Sequence, residues 1–161
     1  MIVLGIDPGL VQTGYGLIKV GSKDNQVIDY GTISTNAKDR LALRLLAIYN
    51  DLISVINKYK PSVMAIEEVF YGKNVKSALL LGHARGVSMI CAAKYNIPVF
   101  EYSARKVKQS ITGNGNAHKS QIKFMIMKEL NLKNFNAPID ASDALAIALC
   151  HMYQVKLEEI W

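Results

Sequence analysis

Cysteine, histidine and proline are scarce in this chain, and long hydrophobic runs are missing. Its two cysteines, Cys91 and Cys150, lie in apolar helical surroundings without metal-type spacing. They read as reduced core thiols rather than a disulfide framework or a zinc site. The three histidines are scattered, and no Ser-His-Asp or Cys-His spacing stands out, which argues against an acyl-transfer triad. No apolar run approaches the ~18 residues needed to span a bilayer. The first residues enter an apolar strand with no basic n-region or cleavage signal, so a cytoplasmic protein without a membrane partner is expected. Internal repeats and low-complexity tracts are also missing.

What remains is an ordinary globular composition, 50% hydrophobic and 20% charged over 161 residues. That length fits one domain, residues 1–161, with a substantial core. Nineteen Lys and Arg against thirteen Asp and Glu give a net charge of +6. If four of the thirteen acids hold cations, as argued below, nineteen basic residues face only nine acids. Such a balance suits a polyanionic partner.

The residues Ile2 to Asp7 form an apolar, β-branched run that Pro8-Gly9 closes, which predicts a buried strand ending on a carboxylate. Strands are expected again over Thr13–Val20 and Gln26–Ile33, with connections short enough for an antiparallel meander. Apolar residues at helical period (Leu41, Leu45, Ile48, Leu52, Tyr59) predict an amphipathic helix from about Asp39 to Tyr59, with Pro61 beyond its end. A second strand ending on a carboxylate, Ser62–Glu67, is followed by a long helix from about Asn74 to Tyr95 and a short strand over Pro98–Tyr102. Further helices are expected over Ala104–Ile111, Lys119–Leu130 and Asp140 to about Lys156. This order predicts an α/β protein whose mixed sheet is flanked by helices. Residues 113–118 read as the most flexible segment.

Three acidic positions carry the chemistry. Asp7 alone would be ordinary turn chemistry before Pro-Gly. Glu67, however, ends a second apolar strand, and neighbouring strands would project both acids from one sheet edge. Glu68 is the alternative, but period-2 alternation puts Val63, Ala65 and Glu67 on one face and Glu68 on the other. Asp140 and Asp143, three residues apart, share one side of a helix's first turn. As N-cap and first-turn acid they would stabilise any helix. The helix behind them is nearly all apolar, so its acidic start is pressed toward the interior. Clustered carboxylates repel one another, and oxygen-only ligands suit hard cations such as Mg²⁺. Two such ions about 4 Å apart can activate a water and stabilise the leaving oxygen of a phosphodiester. Metal-assisted hydrolysis is the expected chemistry.

Phe70, Tyr71 and Lys73 place aromatics and a cation beside these acids. Loop aromatics often pack on their own domain, but beside lysines they also suit stacking on unpaired bases. Arg105, Lys106, Lys108, Lys119 and Lys123 lie between two acidic clusters in sequence, consistent with a groove that tracks phosphates. Gly82 and Gly86, one turn apart in the long helix, each cost about 1 kcal/mol relative to Ala. Either that helix packs closely on its own sheet, or it meets its copy across a two-fold axis.

Taken together, several stretches resemble the RuvC family of crossover junction endodeoxyribonucleases: Ile6-Asp7-Pro8-Gly9 with Thr13-Gly14-Tyr15-Gly16, Ala65–Phe70, Ala84-Arg85-Gly86, Val99–Tyr102, Val107-Lys108-Gln109, Lys119-Ser120-Gln121 and Asp140–Ala146. The match runs in order over nearly the whole chain. The resemblance implies a ribonuclease H-like fold with a five-stranded sheet, and a homodimer through the helix at 74–95. It implies Mg²⁺-dependent nicking of two like-polarity strands of a four-way DNA junction, with two ions per subunit and Mn²⁺ able to substitute. By the same resemblance Asp7, Glu67, Asp140 and Asp143 are the metal-binding and catalytic acids, although some members carry His where Asp140 stands. Lys119 joins them as a catalytic cation. Phe70, Lys108 and Lys119 are implied DNA contacts, to which the aromatic and basic pattern above adds Tyr71, Lys73 and Arg105, and a RuvAB branch-migration motor is an implied partner. One rival is an actin-like kinase or chaperone, which needs two related domains and a second phosphate loop that 161 residues do not offer. The other is a junction-binding protein without catalysis, against which all four acids count.

Overall fold

Strand β1 (Ile2–Asp7) is central, and in the computed structural model the rest of the sheet is built out from it on both sides. The structure describes residues 1–22, 24–69 and 74–158, with side chains through 156. Strands β2 (Gln12–Lys19) and β3 (Gln26–Ser34) run antiparallel in sequence order, as the short connections predict. On the other side β4 (Val63–Glu67) pairs with β1 in parallel and β5 (Val99–Tyr102) with β4, giving the order β3-β2-β1-β4-β5. Each parallel step is bridged by a helix, α1 (Leu41–Tyr59) before β4 and α2 (Val75–Lys94) before β5. The chain then continues through α3 (Ala104–Thr112), α4 (Lys119–Glu129) and α5 (Ile139–Glu158).

The central strands are apolar on both faces because helices cover both faces. Val3, Val63 and Ala65 point to the layer containing Leu145–Cys150 of α5. Leu4, Ile6, Met64 and Ile66 point to the opposite layer, against Ile48, Leu52 and Ile56 of α1 and Ala84 and Cys91 of α2. Each fully buried Leu or Ile contributes about 1.5–3 kcal/mol. Cys91 and Cys150 are buried thiols in these two separate layers. Among the described residues no helix is long and apolar enough to cross a membrane.

Helix α5 lies almost on the backbone of the sheet, and glycines make that possible. A Cβ on Gly14 would collide with the Asp140 carbonyl oxygen, and one on Gly5 with the Ala144 carbonyl oxygen. On Gly16 it would stand 2.7 Å from the Leu145 side chain. The structural task of Gly14 and Gly16 is to seat the start of α5. Gly14→Ala should therefore displace the first turn of α5 and destabilise the protein by about 1–3 kcal/mol, read by urea unfolding.

Candidate active site

Parallel pairing of β1 with β4 sets Ile6 level with Ile66. One residue further, Asp7 and Glu67 end their strands on the face that Val3, Val63 and Ala65 share, toward α5. Asp7 is also level with Gly14 of β2, the glycine on which the Asp140 carbonyl rests. The close seat of α5 thus brings its acidic start to the ends of two strands. Asp7, Glu67, Asp140 and Asp143 line one cavity of about 350 Å³, with Lys108 of α3 and Lys119 of α4 on its wall. Asp140 lies within the first turn, because α5 begins at Ile139; it is not the N-cap that its sequence position suggested. Glu68 is exposed and does not line this cavity; it borders a groove with Arg85 and Glu101, and also the adjoining groove that Asp7 and Glu67 share.

The electrostatics record an excess of negative charge. Burial, then the charges of Glu67 and Asp143, push the Asp7 carboxyl from 3.8 up to about 8. A hydrogen bond to Glu67 and the charge of Asp140 act in the same direction. Glu67 is also raised, first by burial, while its hydrogen bond with Asp7 and the cations Lys119 and Lys108 oppose the rise. Burial and like charge thus favour a proton held by the Asp7–Glu67 pair. Lys119 Nζ lies 3.2 Å from Asp143 Oδ2, and that carboxylate is the first cause raising the lysine.

A held proton and a borrowed ammonium are how clustered carboxylates settle without a stronger counter-charge. Four carboxylates with no nitrogen or sulfur donor among them fit a hard divalent cation. The acids converge on the cavity without closing on a point: among the described residues, no three Asp, Glu, His or Cys side chains form a ready-made cage. Mutual repulsion favours that open arrangement.

A family model described as crossover junction endodeoxyribonuclease RuvC matches residues 3–151. The chain belongs to the RuvC family. It is 47% identical over 151 residues to the crossover junction endodeoxyribonuclease RuvC of Ruminiclostridium cellulolyticum, covering 94% of this chain and 91% of that one. With the RuvC of Alkaliphilus oremlandii it shares 46% identity over 161 residues, covering 100% of this chain and 98% of the other. Among solved structures it superposes on Thermus thermophilus RuvC in complex with Holliday junction substrate with a TM-score of 0.93. That match has 30% identity and covers 98% of this chain and 96% of the other. The mixed five-stranded sheet flanked by helices is thus the ribonuclease H-like architecture of RuvC proteins.

Around this RuvC site the other residues singled out in the sequence fall into three groups. Lys108 and Lys119 line the four-acid cavity. Arg105 lies in an adjoining groove that Asp7 and Glu67 also border. Phe70, Tyr71 and Lys73 lie outside the described residues. The segment 113–118, which composition marks as flexible, is tied by local hydrogen bonds. Thr112 Oγ1 donates to the Asn114 carbonyl at 3.0 Å, and the Asn116 N–H to Asn114 Oδ1 at 2.9 Å. Ala117 is buried as its anchor.

Sequence reasoning gave no role to Arg85, although Ala84-Arg85-Gly86 was among the RuvC-like stretches. Its Nε donates to the Glu67 carbonyl at 3.3 Å, and its Nη2 pairs with Glu101. A lone arginine within an otherwise apolar helical stretch was the available signal.

Proposed function

We propose that Asp7, Glu67, Asp140 and Asp143 hold the divalent cations with which this RuvC-family endonuclease cuts its substrate. The protein is a Holliday junction resolvase that nicks four-way DNA junctions in recombination and repair. Nicking is symmetric, on two strands of like polarity, with two Mg²⁺ per subunit and Mn²⁺ as a working substitute. The observation that supports the acid assignment best is the convergence of four carboxylates, from two strand ends and one helix start, on a single cavity.

The cations, when bound, neutralise the acids, activate a water and stabilise the leaving oxygen of the phosphodiester. The protein supplies the placement. Asp7, on the central strand between Glu67 and the start of α5, would be the central ligand, with Glu67, Asp140 and Asp143 completing the set around the cations. Divalent charge there would take the place of the proton that burial and like charge favour on these acids. Lys119, paired with Asp143 in the structure, can then turn to the phosphate and steady the negative charge that develops there. Lys108 assists from α3. Arg105 tracks the backbone of the DNA in the adjoining groove, and Phe70, Tyr71 and Lys73 supply base and phosphate contacts near the crossover.

Two sites related by a two-fold axis match a junction of the same symmetry, so a homodimer is part of the reading. The α2 helix supports it. Val75, Leu79 and Ile90 are each more than 60% exposed, and among the described residues a Cβ on Gly82 or Gly86 meets nothing within 4 Å. Packing against the described part of the protein's own sheet therefore does not call for these glycines, whereas close approach of a second copy of α2 would. Gly86→Leu should leave the monomer fold intact yet shift the dimer to monomers, read by sedimentation. A variant that stays dimeric at low micromolar concentration would place the interface elsewhere. A RuvAB motor as partner and a cytoplasmic location complete the proposal, on the strength of family membership.

Incubating a labelled four-way junction with the protein and Mg²⁺ tests the activity itself. Paired nicks that a ligase reseals are expected. A gel shift with no nicks at any Mg²⁺ concentration would leave only a binding protein.

A further inference from the structure

The acids of the site are assembled on the α5 face of the sheet, but the end of β4 is also gripped from the opposite face. Arg85 reaches up from α2 and donates from Nε to the Glu67 carbonyl at 3.3 Å. Its Nη2 is ion-paired with Glu101 of β5, the residue level with Ile66. One step further along, the Glu68 N–H donates to the Tyr102 carbonyl at 3.0 Å. Glu67 is therefore fixed on both sides of its Cα. Its side chain meets Asp7, its carbonyl meets Arg85, and the next N–H is held by β5. It is the last residue of its strand, so without these contacts the ladder would fray where the acid has to stand.

The chemistry of the grip is specific. A guanidinium presents diverging N–H groups in one rigid plane, so it can serve a backbone carbonyl and a carboxylate at once. A lysine has one nitrogen and cannot span both in that geometry. Glu101 pairs with Arg85, and Arg85 is not among the residues that line the four-acid cavity, so its influence on the cations would run through Glu67.

We propose that Arg85 is a positioning residue for junction cleavage. It locks the end of β4 so that the Glu67 carboxylate stands beside Asp7, and Glu101 sets the angle of the guanidinium. The inference rests on the reading of Glu67 as a cation ligand. Groups that orient metal ligands from behind typically contribute 10–100-fold to metal affinity.

Mn²⁺ binding to the DNA-free protein, measured by electron paramagnetic resonance, is the test, alongside the Mg²⁺ dependence of cleavage. Arg85→Gln should weaken Mn²⁺ about 10-fold or more and raise the Mg²⁺ needed for half-maximal cleavage by a similar factor. Its rate at saturating Mg²⁺ should return toward wild type, with junction binding in EDTA unchanged. Arg85→Lys should recover only part of the affinity. Wild-type Mn²⁺ affinity in Arg85→Gln, beside a clear loss in Glu67→Gln, would overturn the role of Arg85. Unchanged affinity in Glu67→Gln would instead overturn the reading of Glu67 itself. Should Arg85→Gln fail to fold, Glu101→Gln unpins the guanidinium while leaving it in place. A several-fold weaker Mn²⁺ affinity there supports the inference, and an unchanged one refutes it.

Discussion

Replacing Asp7 with asparagine is expected to abolish junction cleavage, by on the order of 10³-fold or more, while junction binding stays intact. The magnitude follows from the several kcal/mol that metal-held charge contributes to a phosphoryl transition state, each 1.4 kcal/mol being about tenfold in rate. The separation of effects follows from position. Asp7 lies at the centre of the acid cavity, whereas the cations suited to DNA, Arg105 and Lys108 among them, stand on surrounding helices. Asn keeps the shape of the side chain and cannot take on the charge that Glu67, Asp143 and Asp140 oppose. The variant should therefore be at least as stable as the wild type in EDTA. Loss of binding together with cleavage, or a large fall in stability, would mean that Asp7 is structural.

The second large effect is on stability, and it depends on pH. With Asp7 raised from 3.8 to about 8, the folded state holds a proton that the unfolded chain has already released. Stability then falls as pH rises from about 4 to about 8, because the folded state binds more protons across that window. Glu67, raised in the same direction, adds to the slope. A divalent cation competes with the held proton, so its stabilising effect grows with pH. Saturating Mg²⁺ should raise Tm little at pH 5 and by about 5–10 °C at pH 8, corresponding to a few kcal/mol for a chain of this size. Asp7→Asn should flatten the pH dependence in EDTA and lose most of the Mg²⁺ effect. Calorimetry at pH 5, 6.5 and 8 gives both answers. Equal Mg²⁺ stabilisation at all three would contradict the charge cluster.

The sheet and its helices were legible in the sequence because their signals are local. Strand alternation put Glu67 on the face of Val63 and Ala65, toward α5, while Met64 and Ile66 share the other, and the structure has Glu67 on the acid cavity. The spacing of Asp140 and Asp143 put both on one side of a first turn, and the structure has them on one cavity wall. What stayed hidden depends on the distance between elements. Nothing in the strand β2 pattern says that Gly14 and Gly16 lie under α5 with no room for a Cβ. Composition likewise could not choose between two readings of Gly82 and Gly86. Among the described residues their Cβ positions are open, so contact with the described part of the sheet is not what requires glycine there. The grip of Arg85 on the Glu67 carbonyl links residues 18 apart across two elements, a contact that no periodicity encodes. Segment 113–118 has the Gly and Asn of a turn, and the structure adds what composition does not show, local hydrogen bonds to the Asn114 side chain and a buried Ala117.

The most direct test of the acid assignment is the anomalous scattering of a Mn²⁺-soaked crystal at neutral to alkaline pH. The account predicts manganese in the cavity between β1, β4 and α5, with Asp7 and Glu67 carboxylate oxygens at ligand distance, about 2.0–2.2 Å, and Asp140 or Asp143 completing the set. Manganese bound elsewhere, or held there without Asp7, would contradict it.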